Sequence, residues 1–332
     1  MRAVVMTQPS PGSDKTRVTS VDAPRPGPGQ VAIRVAYAGV NFMDVMARRG
    51  DPGYASGWPY VPGLEVAGTI LETGPGITGL EPGRRVAAFT RGGGLAEVAV
   101  ADAALTAAIP DGVASPVAAA APLMMSTAWL LLADVTRIRR GESLLMHSAS
   151  GGIGSAVAQI AGHLGVRVAI GTVGRPEKTA GALRSGWQHA LVRDPQLPGS
   201  VRAAADGDID VILDPTGTAL LDLDLKLAAP GARIALFGNP AGGQPGSLPP
   251  LGTLIGRNVS LAGFSMSRLT ATAPHRTAAA LRHVLDLLAD GQLDMPITEL
   301  ASLDDVPAAQ QALAEGRGPA KSVAAVNPDG AS

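Results

Sequence analysis

Cysteine is absent from this chain of 332 residues. No disulfide forms, no thiol serves as a nucleophile, and thiolate metal sites are excluded. A surplus of one charge is missing too: 27 basic and 28 acidic side chains leave a formal net charge of −1. Without a basic excess to neutralise a phosphate backbone, no nucleic-acid partner is expected. No apolar run reaches the roughly 20 residues a membrane-spanning helix needs, so no membrane association is expected. The opening Met-Arg-Ala-Val-Val-Met-Thr is apolar too briefly for a secretory leader, which makes the cytoplasm the expected location. Lysine is scarce, with 4 residues against 23 arginines, a bias that reflects base composition rather than function. What remains, 46% hydrophobic and 17% charged, describes an ordinary soluble enzyme long enough for two domains.

The most informative segment present is Gly141-Glu-Ser-Leu-Leu-Met-His-Ser-Ala-Ser-Gly-Gly-Ile-Gly154. It reads as a short apolar strand, a glycine turn and the start of a helix, the arrangement that sets a dinucleotide pyrophosphate on a helix N-terminus. Aligned on G-x-G-x-x-G, the positions are Ala149, Gly151 and Gly154, with Gly152 extra and Ser150 and Ile153 between them. Gly151 admits the phosphates, Gly154 lets the helix pack on the strand, and Ala149 means the tight turn lacks its usual glycine. A glycine run alone also fits a helix cap or flexible turn. The preceding strand, the following helix and a second apolar strand at Val166–Thr172 complete a βαβ unit and favour dinucleotide binding.

The first third alternates short strands, such as Gln30–Tyr37, Glu65–Leu71 and Arg85–Phe89, with Gly/Pro breakers. This predicts an irregular, largely antiparallel β domain. Residues 116–133 are Ala/Leu-rich and read as helical. From Ser143 the pattern changes to strands at 144–147, 167–172, 190–192, 210–213, 233–237 and 259–262, mostly separated by helices, which predicts a doubly wound parallel sheet. Helices are expected near 278–289 and 305–314, then a final strand at 322–326 that returns to the first domain.

These motifs resemble the medium-chain dehydrogenase/reductase superfamily, in its zinc-free quinone oxidoreductase (zeta-crystallin-like) branch. The resemblance is carried by the glycine segment with Gln159, by Ala38-Gly-Val-Asn-Phe-Met-Asp44, by Pro62-Gly-Leu-Glu-Val-Ala-Gly68, by Glu81-Pro-Gly-Arg-Arg-Val86 and by Phe237-Gly-Asn239. The branch's glycine signature usually closes on a basic residue or Ser where this chain has Gly162. The resemblance implies an α/β fold with a GroES-like irregular β domain at residues 1–122 and 267–332. A Rossmann domain is implied at 123–266. The superfamily's alcohol dehydrogenases carry a zinc-ligating Cys and His where this chain has Asn41 and Leu64, so no metal is expected. Without a Lewis acid, the substrate is expected to be intrinsically electrophilic: a quinone, an enone or an unsaturated thioester.

The cofactor expected is NADPH. NAD-binding members usually place an acid at the end of the second strand, whereas here Gly174, Arg175 and Lys178 stand in that region, with Arg193 beside a Val192 that replaces a frequent Tyr. These cations either meet a 2′-phosphate or are solvated charges at a helix start. By resemblance, Thr127, Phe237, Gly238 and Asn239 also contact the cofactor, while Ser126 packs or caps a helix. Asn41 and Asp44 lie beside the nicotinamide, with Asn41 donating to the substrate carbonyl and Asp44 either catalytic or a structural helix contact. The proton comes from solvent, Tyr54 or Tyr60. The alternative function is a discrete enoyl reductase of polyketide or fatty-acid assembly. That reading needs a basic approach for an acyl carrier or CoA, for which Arg48, Arg49 and Arg91 are candidates. Family analogy implies a homodimer formed through the strand near 259–262.

Overall fold

The computed structural model describes residues 1–328, and it divides into two compact units. One comprises Met1–Ser126, Arg268–Gln292 and the chain from Pro296 onward; the other comprises Thr127–Ser267 with Leu293–Met295.

The first unit begins with β1 (Arg2–Met6) paired antiparallel to β2 (Thr16–Ser20). Next come β3 (Gln30–Val40), β4 (Glu65–Thr73), β5 (Arg85–Phe89), β6 (Val98–Asp102) and β7 (Thr106–Ala108). β3 organises this sheet: it pairs antiparallel with β4 along two register shifts and also with β6. Its inward residues Val31, Ile33 and Val35 pack with Val4, Val66 and Val86 as the unit's core. A helix, Phe42–Arg49, starts as β3 ends. Asn41, still extended at φ −129°, is its N-cap, and the Asp44 carboxylate accepts the Asn41 backbone N–H at 2.8 Å. That bond satisfies a donor the helix itself leaves open.

The stretch expected as a helix over 116–133 is helical but not one ladder. Turns of α-helix at Ser115–Ala118 and Ser126–Trp129 alternate with wider turns at Ala121–Met125 and Leu130–Val135. Pro122 has no N–H to continue an α-helical ladder. Ser126 Oγ donates to the Ala121 carbonyl, the packing and capping role expected of it, and Thr136 Oγ1 donates to that of Leu131.

The second unit contains β8 (Ser143–Met146), β9 (Val168–Val173), β10 (His189–Val192), β11 (Ile209–Asp214), β12 (Ala228–Leu236) and β13 (Ser260–Gly263). They form one sheet in the order β10-β9-β8-β11-β12-β13, and every pairing is parallel. In chain order that is 3-2-1-4-5-6, the doubly wound arrangement whose ligand crevice lies outside the carboxyl ends of the strands. β8 and β9 are buried at every residue, as central parallel strands covered on both faces are. β12 starts five residues before the Arg233 suggested by the sequence pattern, through Ala-Pro-Gly that reads as a turn.

The chain then returns to the first unit with β14 (Thr298–Leu300) and β15 (Ser322–Ala325). β15 pairs antiparallel with β3, setting Ser322 opposite Val40. Lys321 is thereby brought to the start of the helix Phe42–Arg49.

Candidate functional site

At the carboxyl edge of the parallel sheet, the loop after β8 turns at Ser148, which takes the left-handed conformation at φ +59°, one residue before the Ala149 that stands at the motif's first position. The Ala149 N–H bonds the Thr172 carbonyl at 2.9 Å, and Trp187 Nε1 donates to the Ala149 carbonyl at 3.2 Å, so the turn is anchored to β9. The helix Gly152–His163 follows with Gly151 as N-cap and no side-chain cap. Its first N–H groups and its positive dipole end are therefore open to an anion. A Cβ at Gly154 would overlap the Ala149 backbone, so only glycine lets the helix approach the loop this closely.

The ends of β9 and β10 gather cations. Arg193 donates its backbone N–H to Val173 at 2.9 Å, and a Cβ at Gly174 would come within 2.9 Å of its guanidinium. Arg193 Nη1 is buried without a hydrogen-bond partner. Burial lowers its pKa, opposed by Asp214. Lys178 is lowered by burial, then by the charges of Arg175 and Arg193, which places all three cations within electrostatic reach. Arg175 pairs with Glu177 at 3.3 Å. The loops after β11 and β12 are adjacent: Phe237 N–H bonds the Asp214 carbonyl at 2.9 Å, and the Asn239 amide donates to the Gly242 and Gly243 carbonyls. Gly238, at φ +107°, lies against the Pro215 carbonyl. Ser150, Gly151, Gly152, Ile153, Gly154, Gly174, Arg175, Lys178, Arg193 and Phe237–Asn239 thus share one sheet edge. Thr127 is buried in the turn Ser126–Trp129, away from those loops in sequence.

In the first unit, Asn41 and Asp44 are tied into a buried network. Asp44 accepts Asn41 N–H on one oxygen and Gly63 N–H, at 3.0 Å, on the other. Burial pushes its carboxyl up to about 6 despite these bonds. The Asn41 amide donates to the Gly39 carbonyl at 3.3 Å and to Glu65 at 3.0 Å, while its oxygen accepts from Lys321 Nζ at 2.8 Å. Lys321 also pairs with Glu65, and both are buried. Both side-chain N–H groups of Asn41 thus have acceptors, the Gly39 carbonyl and Glu65. The structural reading of Asp44 has direct support in its two backbone bonds. Tyr54 is half-buried beside Met6, Ala47 and Tyr60. Burial raises its phenol, and burial with the nearby Asp44 charge pushes that of Tyr60 up to about 12.

The basic approach suggested by Arg48, Arg49 and Arg91 is not assembled. Arg48 is fully buried, donating to the Pro11 carbonyl at 2.9 Å. Arg49 pairs with Asp51 and lies over the Phe42 ring, and Arg91 pairs with Asp102 at 3.0 Å. Sequence reasoning also missed three groups. Glu65 sat unremarked inside a quoted motif, and Lys321 was one of only 4 lysines. His147 is buried between Thr172 Oγ1 at 2.7 Å and Asp224 Oδ1 at 2.8 Å. Its neighbour Asp224 is raised to about 6 by burial, with Asp214 adding to the shift.

A doubly wound parallel sheet in one unit and an irregular antiparallel β unit in the other are the two parts of a two-domain dehydrogenase fold. Residues 27–111 match the alcohol dehydrogenase GroES-like domain and residues 152–286 the zinc-binding dehydrogenase model. A mycobacterial protein solved in complex with NADPH is 31% identical with a TM-score of 0.87, over 98% of this chain and 99% of that one. A quinone oxidoreductase of Pseudomonas syringae is 29% identical with a TM-score of 0.87, over the same shares. The pikromycin polyketide synthase component PikAII of Streptomyces venezuelae is 35% identical over 83% of this chain, which spans only 7% of that synthase. The chain belongs to the medium-chain dehydrogenase/reductase superfamily, in its zinc-free, quinone oxidoreductase-like branch.

Proposed function

We propose that the protein is an NADPH-dependent reductase of quinones or α,β-unsaturated carbonyls. The observation that carries the cofactor is the cationic cluster of Arg175, Lys178 and Arg193, one of whose guanidinium nitrogens is buried without a partner. A buried unpaired donor is costly unless a ligand satisfies it, and no acid stands at the end of β9 to bind a free ribose hydroxyl. The uncapped helix at Gly152 suits the pyrophosphate. The residues fit the group, and the mycobacterial relative complexed with NADPH supports the assignment.

When bound, the nicotinamide supplies a hydride, which leaves negative charge on the acceptor's carbonyl oxygen. In this reading Asn41 meets that oxygen with an amide N–H, exchanging its long contact to Gly39 for a charged acceptor. Asp44 holds the helix start and the Gly63 turn around it. Tyr54, a phenol and so protonated at neutral pH, is the proton source beside solvent. The donor set for a superfamily zinc is absent at Asn41 and Leu64, which favours acceptors that need no Lewis acid.

The polyketide synthase relatives favour a second reading, reduction of an enoyl thioester. Arg48 is buried, and Arg49 and Arg91 are each paired with an acid, so these three supply no basic surface for its carrier. The protein is further proposed to be a homodimer. β13 is one of the two edge strands of the parallel sheet, and Leu248, Leu251 and Ile255, in the segment that precedes it in the chain, are exposed by 62%, 70% and 66%. The cofactor assignment is tested by kcat/KM with each nicotinamide. The wild type should prefer NADPH, and Lys178→Glu/Arg193→Glu should reverse the preference; a wild type that prefers NADH overturns it.

A further inference from the structure

We propose that Lys321 is a positioning residue that fixes the orientation of the Asn41 amide, an inference that rests on the reading of Asn41 as the group meeting the substrate carbonyl. The Lys321 ammonium has three donors, and each has an acceptor. They are the Val40 carbonyl at 3.1 Å, Asn41 Oδ1 at 2.8 Å and the Glu65 carboxylate. Glu65 in turn accepts from Asn41 Nδ2 at 3.0 Å on one oxygen and from the Leu123 N–H at 2.7 Å on the other. A cation therefore faces the amide oxygen and an anion faces its nitrogen. A flipped amide would set N–H against ammonium and oxygen against carboxylate, so one orientation is enforced. Asp44, the other acid here, accepts the backbone N–H groups of Asn41 and Gly63 and leaves the Asn41 side chain to this pair.

The enforced orientation matters because the two Nδ2 hydrogens are not equivalent. One is held by the Glu65 charge; the other reaches the Gly39 carbonyl at 3.3 Å, at the long limit for such a bond. The second is the hydrogen that an oxygen gathering charge can capture. Lys321 is 3% exposed, so it acts on substrate only through Asn41. Its charge is balanced by Glu65, which leaves orientation as its contribution. Three donors arranged around a point meet three acceptors that a planar guanidinium fork would not.

The test is a mutant cycle with NADPH and 1,4-benzoquinone, joined to side-chain amide NMR of Asn41, whose resonances are identified by their loss in Asn41→Ala. Lys321→Met is measured alongside Glu65→Gln/Lys321→Met, which leaves no unpaired buried charge and keeps the test valid if the single variant fails to fold. Asn41→Ala and the double variant should each lower kcat by about a hundredfold, as loss of an oxyanion donor does, with KM for NADPH unchanged. Adding Asn41→Ala to the double variant should cause no further loss, and the double variant should shift the Asn41 amide resonances. If Asn41→Ala keeps full activity, the reading of Asn41 fails and the proposal with it. If Asn41→Ala is impaired while the Lys321 variants keep wild-type kcat and amide resonances, or if the losses multiply, Lys321 does not position Asn41 and the proposal alone is overturned.

Discussion

Gly154 sits where no side chain fits: a Cβ there would overlap the Ala149 backbone. Gly154→Val should push the helix off its loop, lowering thermal stability by about 1–3 kcal/mol, as overpacking does, and abolishing saturable NADPH binding measured by fluorescence. Two buried carboxyls set a pH response. Asp44 and Asp224 are each raised to about 6 from an ordinary 3.8, chiefly by burial, so between those values the folded state binds more protons than the unfolded chain. Stability from these groups therefore rises as pH falls from about 7 toward 4, by up to about 1.4 kcal/mol per group per pH unit. Melting scans across that range should show the trend, and Asp224→Asn should flatten it; an unchanged slope would contradict the assignment. At this scale Gly154 and Asn41 were legible because a spacing or motif marks them. Lys321 was not, because its partner lies 280 residues away and no periodicity links them.

At the scale of elements, β8 to β13 were legible, since buried parallel strands read as short apolar runs separated by helices. The interrupted helix over 115–135 was less so, because Ala and Leu favour a helix while Pro122 and the carbonyl-bonding hydroxyls of Ser126 and Thr136 set its local pitch. The ends of β9 and β10 carry the cofactor assignment. Truncation of Arg193 to Ala should raise KM for NADPH by about tenfold or more, the loss of a charge-assisted phosphate bond, and leave KM for NADH nearly unchanged. Equal effects on both would remove Arg193 from the 2′-phosphate site.

For the whole molecule, the two-unit fold followed from the change of pattern near Ser143, whereas the return of the chain through β15 to β3 was suggested only by a short apolar segment. The exposed Leu251 and Ile255, on the helix that precedes the edge strand β13 in the chain, predict a sedimentation mass near twice 33.4 kDa, falling to the monomer value in Leu251→Asp/Ile255→Asp. The central claim, hydride reduction of conjugated carbonyls without a metal, is tested most directly by following NADPH oxidation with 1,4-benzoquinone, 2-cyclohexenone and crotonyl-CoA in the presence of a strong chelator. The account predicts saturable, chelator-insensitive turnover of the quinone or the enone. Preference for crotonyl-CoA would select the enoyl thioester reading, and NADPH oxidation with none of the three, or only with added zinc, would contradict the account.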